Sequence, residues 1–339
     1  MHTVVIGSGI GGVTFAQELL NRDAQEKVSL LTYETHGYYS RPLLSHGFTR
    51  ADIETKIVMR SFEALSEQGI NIASGVEVMR LDAASATLVY REGDAEKTLA
   101  YDRLVLVTGS GALIPPPFVP QSDMFYVLNS LADLIRLRQL RAKIAAAGKT
   151  PRWAVVGGGL IGCELASDLS VAGDKVHLFH AMPRLMERQL VEEDSQALVV
   201  LLKESGISVT LDCAVNGFEV NSDSYAVVYD GGRSPDFDCV IVSCGFKPRI
   251  ELAKQAGLAV GRGILVDDFL RTDKENIYAL GDVAEFSDGK VYAYVTPIRN
   301  QAIWLAEFLA GNGSEAWMPP FFKPKAKVHG FEASYPYKF

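Results

Sequence analysis

VVIGSGIGG, residues 4–12, recurs 150 positions later as AVVGGGLIG, residues 154–162. Each copy runs an apolar strand into a Gly-x-Gly-x-x-Gly turn and then into a helical pattern. The glycines are Gly7, Gly9 and Gly12 in the first and Gly157, Gly159 and Gly162 in the second. In such a turn the first glycine makes the tight bend, the second lets backbone approach a pyrophosphate, and the third lets helix and strand pack closely. The helix N-terminus then offers free N–H groups and positive dipole to phosphate. One copy is a weak signal, because glycine turns between strand and helix are common. Two copies in strand–turn–helix context specify an α/β chain with two Rossmann-like dinucleotide-binding domains.

The sequence after each turn sets the sugar chemistry. KVSLLTYE (residues 27–34) reads as the next strand and ends in Glu34, 27 residues after Gly7, where a carboxylate accepts both hydroxyls of an adenosine ribose. In the second copy KVHLFHAMPRLM (175–186) puts His180 at that place, with Arg184 close behind. A neutral imidazole suits a 2′-hydroxyl, whereas an imidazolium beside Arg184 suits a 2′-phosphate. NADH and NADPH both stay open, with NADH slightly favoured, and His180→Arg is expected to move the preference toward NADPH. LVLVTGSG (104–111), with Thr108 and Gly109, and VIVSCGFKP (240–248), with Gly245, read as matched strand ends. TDKENIYALGDVA (272–284) delivers Gly281 and Asp282, placed to meet a chain of hydroxyls. TPIRNQAIWLAEFLAG (296–311) reads as an amphipathic helix with Pro297 at its start and Gly311 beyond its end.

Composition excludes several classes. At 339 residues the chain can bury two cores, and 48% hydrophobic with 22% charged residues is ordinary for a globular protein. A net charge of -8 argues against nucleic acid as the main partner. No apolar run reaches the ~20 residues of a membrane span. The N-terminus enters a strand at once, unlike a signal peptide. Four cysteines without a CxxC pair point to no metal site and to a reducing compartment, expected to be the cytoplasm.

These motifs together resemble the FAD-dependent pyridine nucleotide–disulfide oxidoreductase superfamily. Within it, Tyr39-Ser40-Arg41-Pro42 with Leu44-Ser45, and GLIGCELASDLS (159–170), look most like NAD(P)H:rubredoxin reductases. The resemblance covers roughly residues 1–311. It implies an FAD-binding domain (1–113 and 246–318) interrupted by an inserted NAD(P)H-binding domain (114–245), and a short basic aromatic tail (319–339). It implies FAD and NAD(P)H as cofactors, Glu34 on the FAD ribose, Arg41 and Pro42 near the cofactor pyrophosphate, and Asp282 on the ribityl chain. Glu164 would lie near the flavin–nicotinamide junction.

Two departures from the family shape the functional expectation. Where relatives carry a reactive thiol or a lysine, YYSRPLLSHGF (38–48) has Ser45 and His46. Only 29 residues follow Ala310, so the family's C-terminal interface domain is expected to be largely missing. Without a thiol relay, electrons would pass from NAD(P)H through FAD to a small acidic iron–sulfur carrier such as rubredoxin. The alternatives are a flavin subunit of a heteromeric dehydrogenase and a flavin oxidase using dioxygen or a small organic substrate. His46 would tune the flavin by titrating near neutrality. The segment 317–339 has seven aromatics and four lysines against one glutamate, so it carries +3 and leaves -11 to the rest. Its aromatics are expected to be largely buried against this chain or a partner.

Overall fold

The structure is a computed structural model that describes residues 1–338. Its main elements, in chain order, are β1 (His2–Ile6), α1 (Ile10–Arg22), β2 (Lys27–Thr32), β3 (Ile70–Ser74) and β4 (Arg103–Leu106). Next come α2 (Leu131–Ala146), β5 (Arg152–Val156), α3 (Leu160–Val171), β6 (Lys175–Phe179), α4 (Glu192–Glu204) and β7 (Ser208–Thr210). β8 (Cys239–Val242), β9 (Ile277–Ala279) and α5 (Val295–Leu309) complete the set. The chain forms two compact units. The first comprises residues 1–40, 58–111 and 247–322, and the second 41–57, 112–246 and the chain from Lys323 onward.

The first unit is built on a five-stranded sheet in the order β9-β4-β1-β2-β3, all parallel. Val4 to Ile6 of β1 and Val28 to Thr32 of β2 are buried without interruption, as strands covered on both faces must be. Phe15, Ala16 and Leu19 of α1 and Ala302, Leu305 and Ala306 of α5 join the same core as these strands. A three-stranded antiparallel sheet, Glu77–Asp82, Thr87–Glu92 and Ala95–Ala100, belongs to the same unit.

The second unit repeats the plan with a four-stranded parallel sheet, β7-β6-β5-β8. Ala154 of β5 pairs with His177 on one side and Val240 on the other, as Val4 of β1 pairs with Ser29 and Leu104. Phe118, Phe125, Phe179, Phe218 and Phe237 dominate one of its cores. The doubled α/β architecture is therefore the one the repeat implies.

Compactness draws its lines differently from the boundaries expected at 113 and 245. Residues 41–57 and 323–338 pack with the second unit, for reasons that lie in the side chains of α3. The tail's aromatics divide. Trp317 and Phe331 are buried within this chain, whereas Phe321 is 85% and Tyr335 53% exposed, so the chain itself does not bury those two. Phe339 lies outside the described residues.

Candidate functional site

In the first unit the three glycines of the turn differ in what surrounds them. A Cβ on Gly7, whose φ is +118°, would sit 2.1 Å from the Val107 carbonyl oxygen, and one on Gly12 would sit 1.9 Å from that of Gly7. Both positions are closed by backbone. A Cβ on Gly9 would meet nothing within 4 Å, and Gly9 caps α1 with no side-chain hydrogen bond. The turn thus presents helix N–H groups over an open glycine, which is the shape a pyrophosphate fills.

Glu34 follows β2 as expected. Its carboxylate is 5% exposed and accepts a 2.7 Å hydrogen bond from the Tyr39 hydroxyl, which orients it. Gly109 (φ +66°) accepts from Arg249 N at 2.9 Å, and Thr108 Oγ1 donates to Arg249 O at the same distance. Gly281 (φ +79°) donates its N–H to the wholly buried Gln301, 2.8 Å away on α5. Asp282 accepts from Ser110 Oγ at 2.6 Å. Pro297 is buried in the first turn of α5, which begins at Val295 and ends at Leu309, with Gly311 (φ +78°) beyond it. Neither Arg249 nor Gln301 stood out in the sequence, because hydrogen bonds across 141 and 20 residues leave no local pattern.

The second unit reproduces the turn. Gly157 (φ +115°) and Gly162 are closed by the carbonyl oxygens of Ser243 and Gly157, at 2.3 and 1.9 Å, and Gly159 is open. Gly245 takes φ +113° and accepts from Leu113 N at 3.0 Å. His180 is buried behind this turn. Its Nδ1 accepts the Gly158 N–H at 3.0 Å, which fixes the Nε2–H tautomer, and Nε2 then donates to Glu187 at 3.1 Å. His180→Arg would therefore remove a brace of the turn, so the expected switch toward NADPH needs another position. Arg184 is half-buried three residues before Glu187.

A third group of side chains surrounds α3. Glu164, 2% exposed, accepts from Ser45 Oγ at 2.6 Å, from Lys327 N at 2.9 Å and from Lys327 Nζ at 2.9 and 2.8 Å. One turn further on, Asp168 is 0% exposed and accepts from Phe48 N at 2.8 Å, Thr49 N at 3.3 Å and Thr49 Oγ1 at 2.6 Å. The His329 ring lies 3.0 Å from the same carboxylate and His46 Nδ1 lies 3.7 Å from it. Ligand atoms of His46, Asp168 and His329 all fall within 4.8 Å of one another. Asp168 is already saturated by backbone, hydroxyl and imidazole donors, so hydrogen bonding accounts for the cluster. These contacts fasten residues 41–57 and the tail to the second unit. Arg41 also belongs here, its Nη1 donating to Asn129 O at 2.6 Å, and Pro42 is exposed beside it.

Burial lowers the His46 pKa below the ordinary histidine value, against the opposing pull of Asp168 and Glu164. The shift favours the neutral ring and moves its titration to lower pH than the sequence suggests. The unfolded chain binds more protons than the folded one once pH falls below about 6.5, so this contribution to stability is present above that pH and lost below it. His2 and His177 are lowered by burial too and add to the same slope. His46→Gln is expected to flatten the fall in melting temperature between about pH 6.5 and 5. An unchanged slope would remove His46 from that window.

The cysteines offer no thiolate. Burial pushes the thiols of Cys163 and Cys239 far up and that of Cys244 up to about 11.

Comparison with known proteins agrees with this geometry. The model of the family described as pyridine nucleotide-disulphide oxidoreductase matches residues 1–302. The chain is 35% identical over 318 residues to a rubredoxin-NAD(+) reductase of Alcanivorax borkumensis, covering 93% of this chain and 80% of the relative. It is 31% identical over 317 residues to a nitric oxide reductase FlRd-NAD(+) reductase of Shigella boydii, covering 93% and 81%. Among solved structures, the covalent putidaredoxin reductase–putidaredoxin complex contains a chain with TM-score 0.84 and 27% identity, matched over 97% of this chain and 79% of that one. With two glycine turns built alike and a family match spanning both, the chain belongs to the pyridine nucleotide-disulphide oxidoreductase family.

Proposed function

We propose that the protein is an FAD-dependent NAD(P)H oxidoreductase that passes electrons to a small iron–sulfur carrier of the rubredoxin type. The observation that carries this reading is the pair of turns whose middle glycines, Gly9 and Gly159, alone face open space at a helix N-terminus. Relatives named for rubredoxin and flavorubredoxin support the choice of acceptor. When bound, the nicotinamide supplies a hydride, and the flavin accepts two electrons and releases them one at a time. The chain's own residues position and insulate. In the first unit Gly9 admits the pyrophosphate, Glu34 takes the ribose hydroxyls in the orientation Tyr39 gives it, and Asp282 meets the ribityl hydroxyls. In the second unit Gly159 admits the nucleotide pyrophosphate, with His180 bracing the turn. No residue is asked to act as a nucleophile, and the buried thiols are unsuited to it. The FAD domain would be residues 1–113 with 246–318 and the NAD(P)H domain 114–245, the segments 41–57 and 323–338 being packed on the latter.

Among the described residues no helix is long and apolar enough to cross a membrane. The cytoplasm is proposed as the compartment, since the four cysteines are free. Stopped-flow mixing with NADH should bleach the flavin, and rubredoxin should restore its colour faster than air does. Reoxidation by air alone at an equal or greater rate overturns the choice of acceptor.

Glu187 beside His180 favours NADH, because a 2′-phosphate would face a carboxylate. Glu187→Gln is expected to narrow the NADH-to-NADPH ratio of kcat/KM about tenfold, the effect of ~1.4 kcal/mol of relieved repulsion. A ratio that does not change means the ribose lies elsewhere.

A further inference from the structure

Glu164 is a buried carboxylate one turn into the helix that begins at the nucleotide turn, and the tail supplies one of its two partner residues. Of its four hydrogen bonds, one comes from Ser45 and three from Lys327. Lys327 is also its one ion-pair partner among the described residues, at 2.8 Å. The neighbouring contacts hold the tail in register. His329 N donates to Ser167 Oγ at 3.1 Å, and Ser334 N and Tyr335 N donate to the 3% exposed Asp194 at 2.9 and 3.0 Å. Ala326 and Val328, on either side of Lys327, are 2% and 4% exposed, so the lysine is carried on an anchored stretch of backbone.

We propose that Lys327 is a positioning residue of the nucleotide site, its ammonium brought to Glu164 by the C-terminal segment. This rests on the reading of residues 157–162 as a NAD(P)H turn. A dinucleotide carries negative phosphates, and a buried carboxylate one helical turn from their seat repels them. Lys327 cancels that charge and, with Ser45, fixes the rotamer of Glu164. Met at 327 keeps much of the side-chain bulk and the backbone N–H bond but leaves a buried anion facing an anionic ligand, with two hydrogen bonds in place of four. Residues 41–57 offer Glu164 no other ammonium: their one lysine, Lys56, is exposed and pairs with Asp52.

The test uses the full chain and four variants, K327M, K327R, E164Q and the double E164Q/K327M. Thermal melts are taken on the flavin-loaded protein, and NADH affinity is measured by anaerobic calorimetry after the flavin has been reduced, so that no hydride moves. K327M is expected to lower the melting temperature by several degrees and to raise the NADH Kd about tenfold, about one pKa-unit equivalent of electrostatic work. K327R should stay within about threefold of wild type, because the guanidinium keeps the charge. The double variant should melt well above the sum of the two single losses, because an amide at 164 no longer needs a cation. Strict additivity in the melts, or a K327M protein that binds NADH like wild type, overturns the proposal. A wild-type chain that binds no NADH sinks the functional reading instead, and the melts then decide by themselves whether Lys327 positions Glu164.

Discussion

A Gly9→Val protein is expected to fold normally and to purify colourless. The ideal Cβ at residue 9 meets nothing within 4 Å, and its φ of -70° is one that any L-residue adopts, so the fold has no objection to a side chain there. The ligand does. A valine fills the opening through which α1 presents its N–H groups, and the pyrophosphate loses its closest approach to backbone. FAD affinity should fall at least about 100-fold, equivalent to some 2.7 kcal/mol. Gly12→Ala is the contrasting case, since its Cβ would lie 1.9 Å from the Gly7 carbonyl oxygen. That substitution should lower the melting temperature and the yield as well as the flavin content. Circular dichroism, melting and the 450 nm region of the spectrum separate the two outcomes. A yellow Gly9→Val protein with wild-type flavin content would show that this turn does not hold the cofactor.

The second large effect is expected at Asp168. Its side chain is wholly buried and is the acceptor for the backbone N–H groups of Phe48 and Thr49 and for the Thr49 hydroxyl. Asp168→Ala leaves those donors, and His329, without an acceptor. Each buried orphan costs about 1–3 kcal/mol, so a total near 3 kcal/mol is the reasonable expectation. At about 2–4 °C per kcal/mol for a chain of this size class, the melting temperature should drop by roughly 6–12 °C. Hydrogen exchange should quicken at Phe48 and Thr49 before it does in β5. Thr49→Ala removes one donor and keeps the acceptor, and should cost about 1 kcal/mol. If Asp168→Ala melts within a degree of wild type, residues 41–57 are not held by this carboxylate.

The doubled α/β plan could be read directly from VVIGSGIGG and AVVGGGLIG because its causes are local. A turn that needs three glycines at fixed spacing must show them. The same holds for Glu34, which a strand of fixed length delivers to a fixed place, and for Gly311 at the end of α5. The surroundings of α3 could not be read that way. Glu164 was recognisable by its position in GLIGCELASDLS, but its partners Ser45 and Lys327 are 119 and 163 residues away. Asp168 stands in the same quoted stretch and passed as an ordinary helix residue, since nothing near it says that a loop's backbone will donate to it. His46 was singled out for the position it occupies, and burial then changed its chemistry. The tail looked basic and aromatic, which left open whether it packs on this chain or on a partner, and its lysine at 327 and the backbone of 334 and 335 turn inward to acids. Composition describes a surface only when the chain is known to present it.

The reach of the Lys327–Glu164 contact has a kinetic side. Closing a loop of 163 residues costs only about 2 kcal/mol more than closing one a tenth as long, so the native state bears the distance lightly. Rates are less forgiving, because a pairing so remote in sequence can form only after the segments between have stopped roaming. During synthesis 77 residues separate Phe246 from Lys323, and at about 5–20 residues per second that is several seconds or more. Over that interval the β5–β8 sheet can assemble while Asp194 and the side of Glu164 that Lys327 will meet still have water for a partner. The tail's contacts with those two acids are then among the last that the second unit can make.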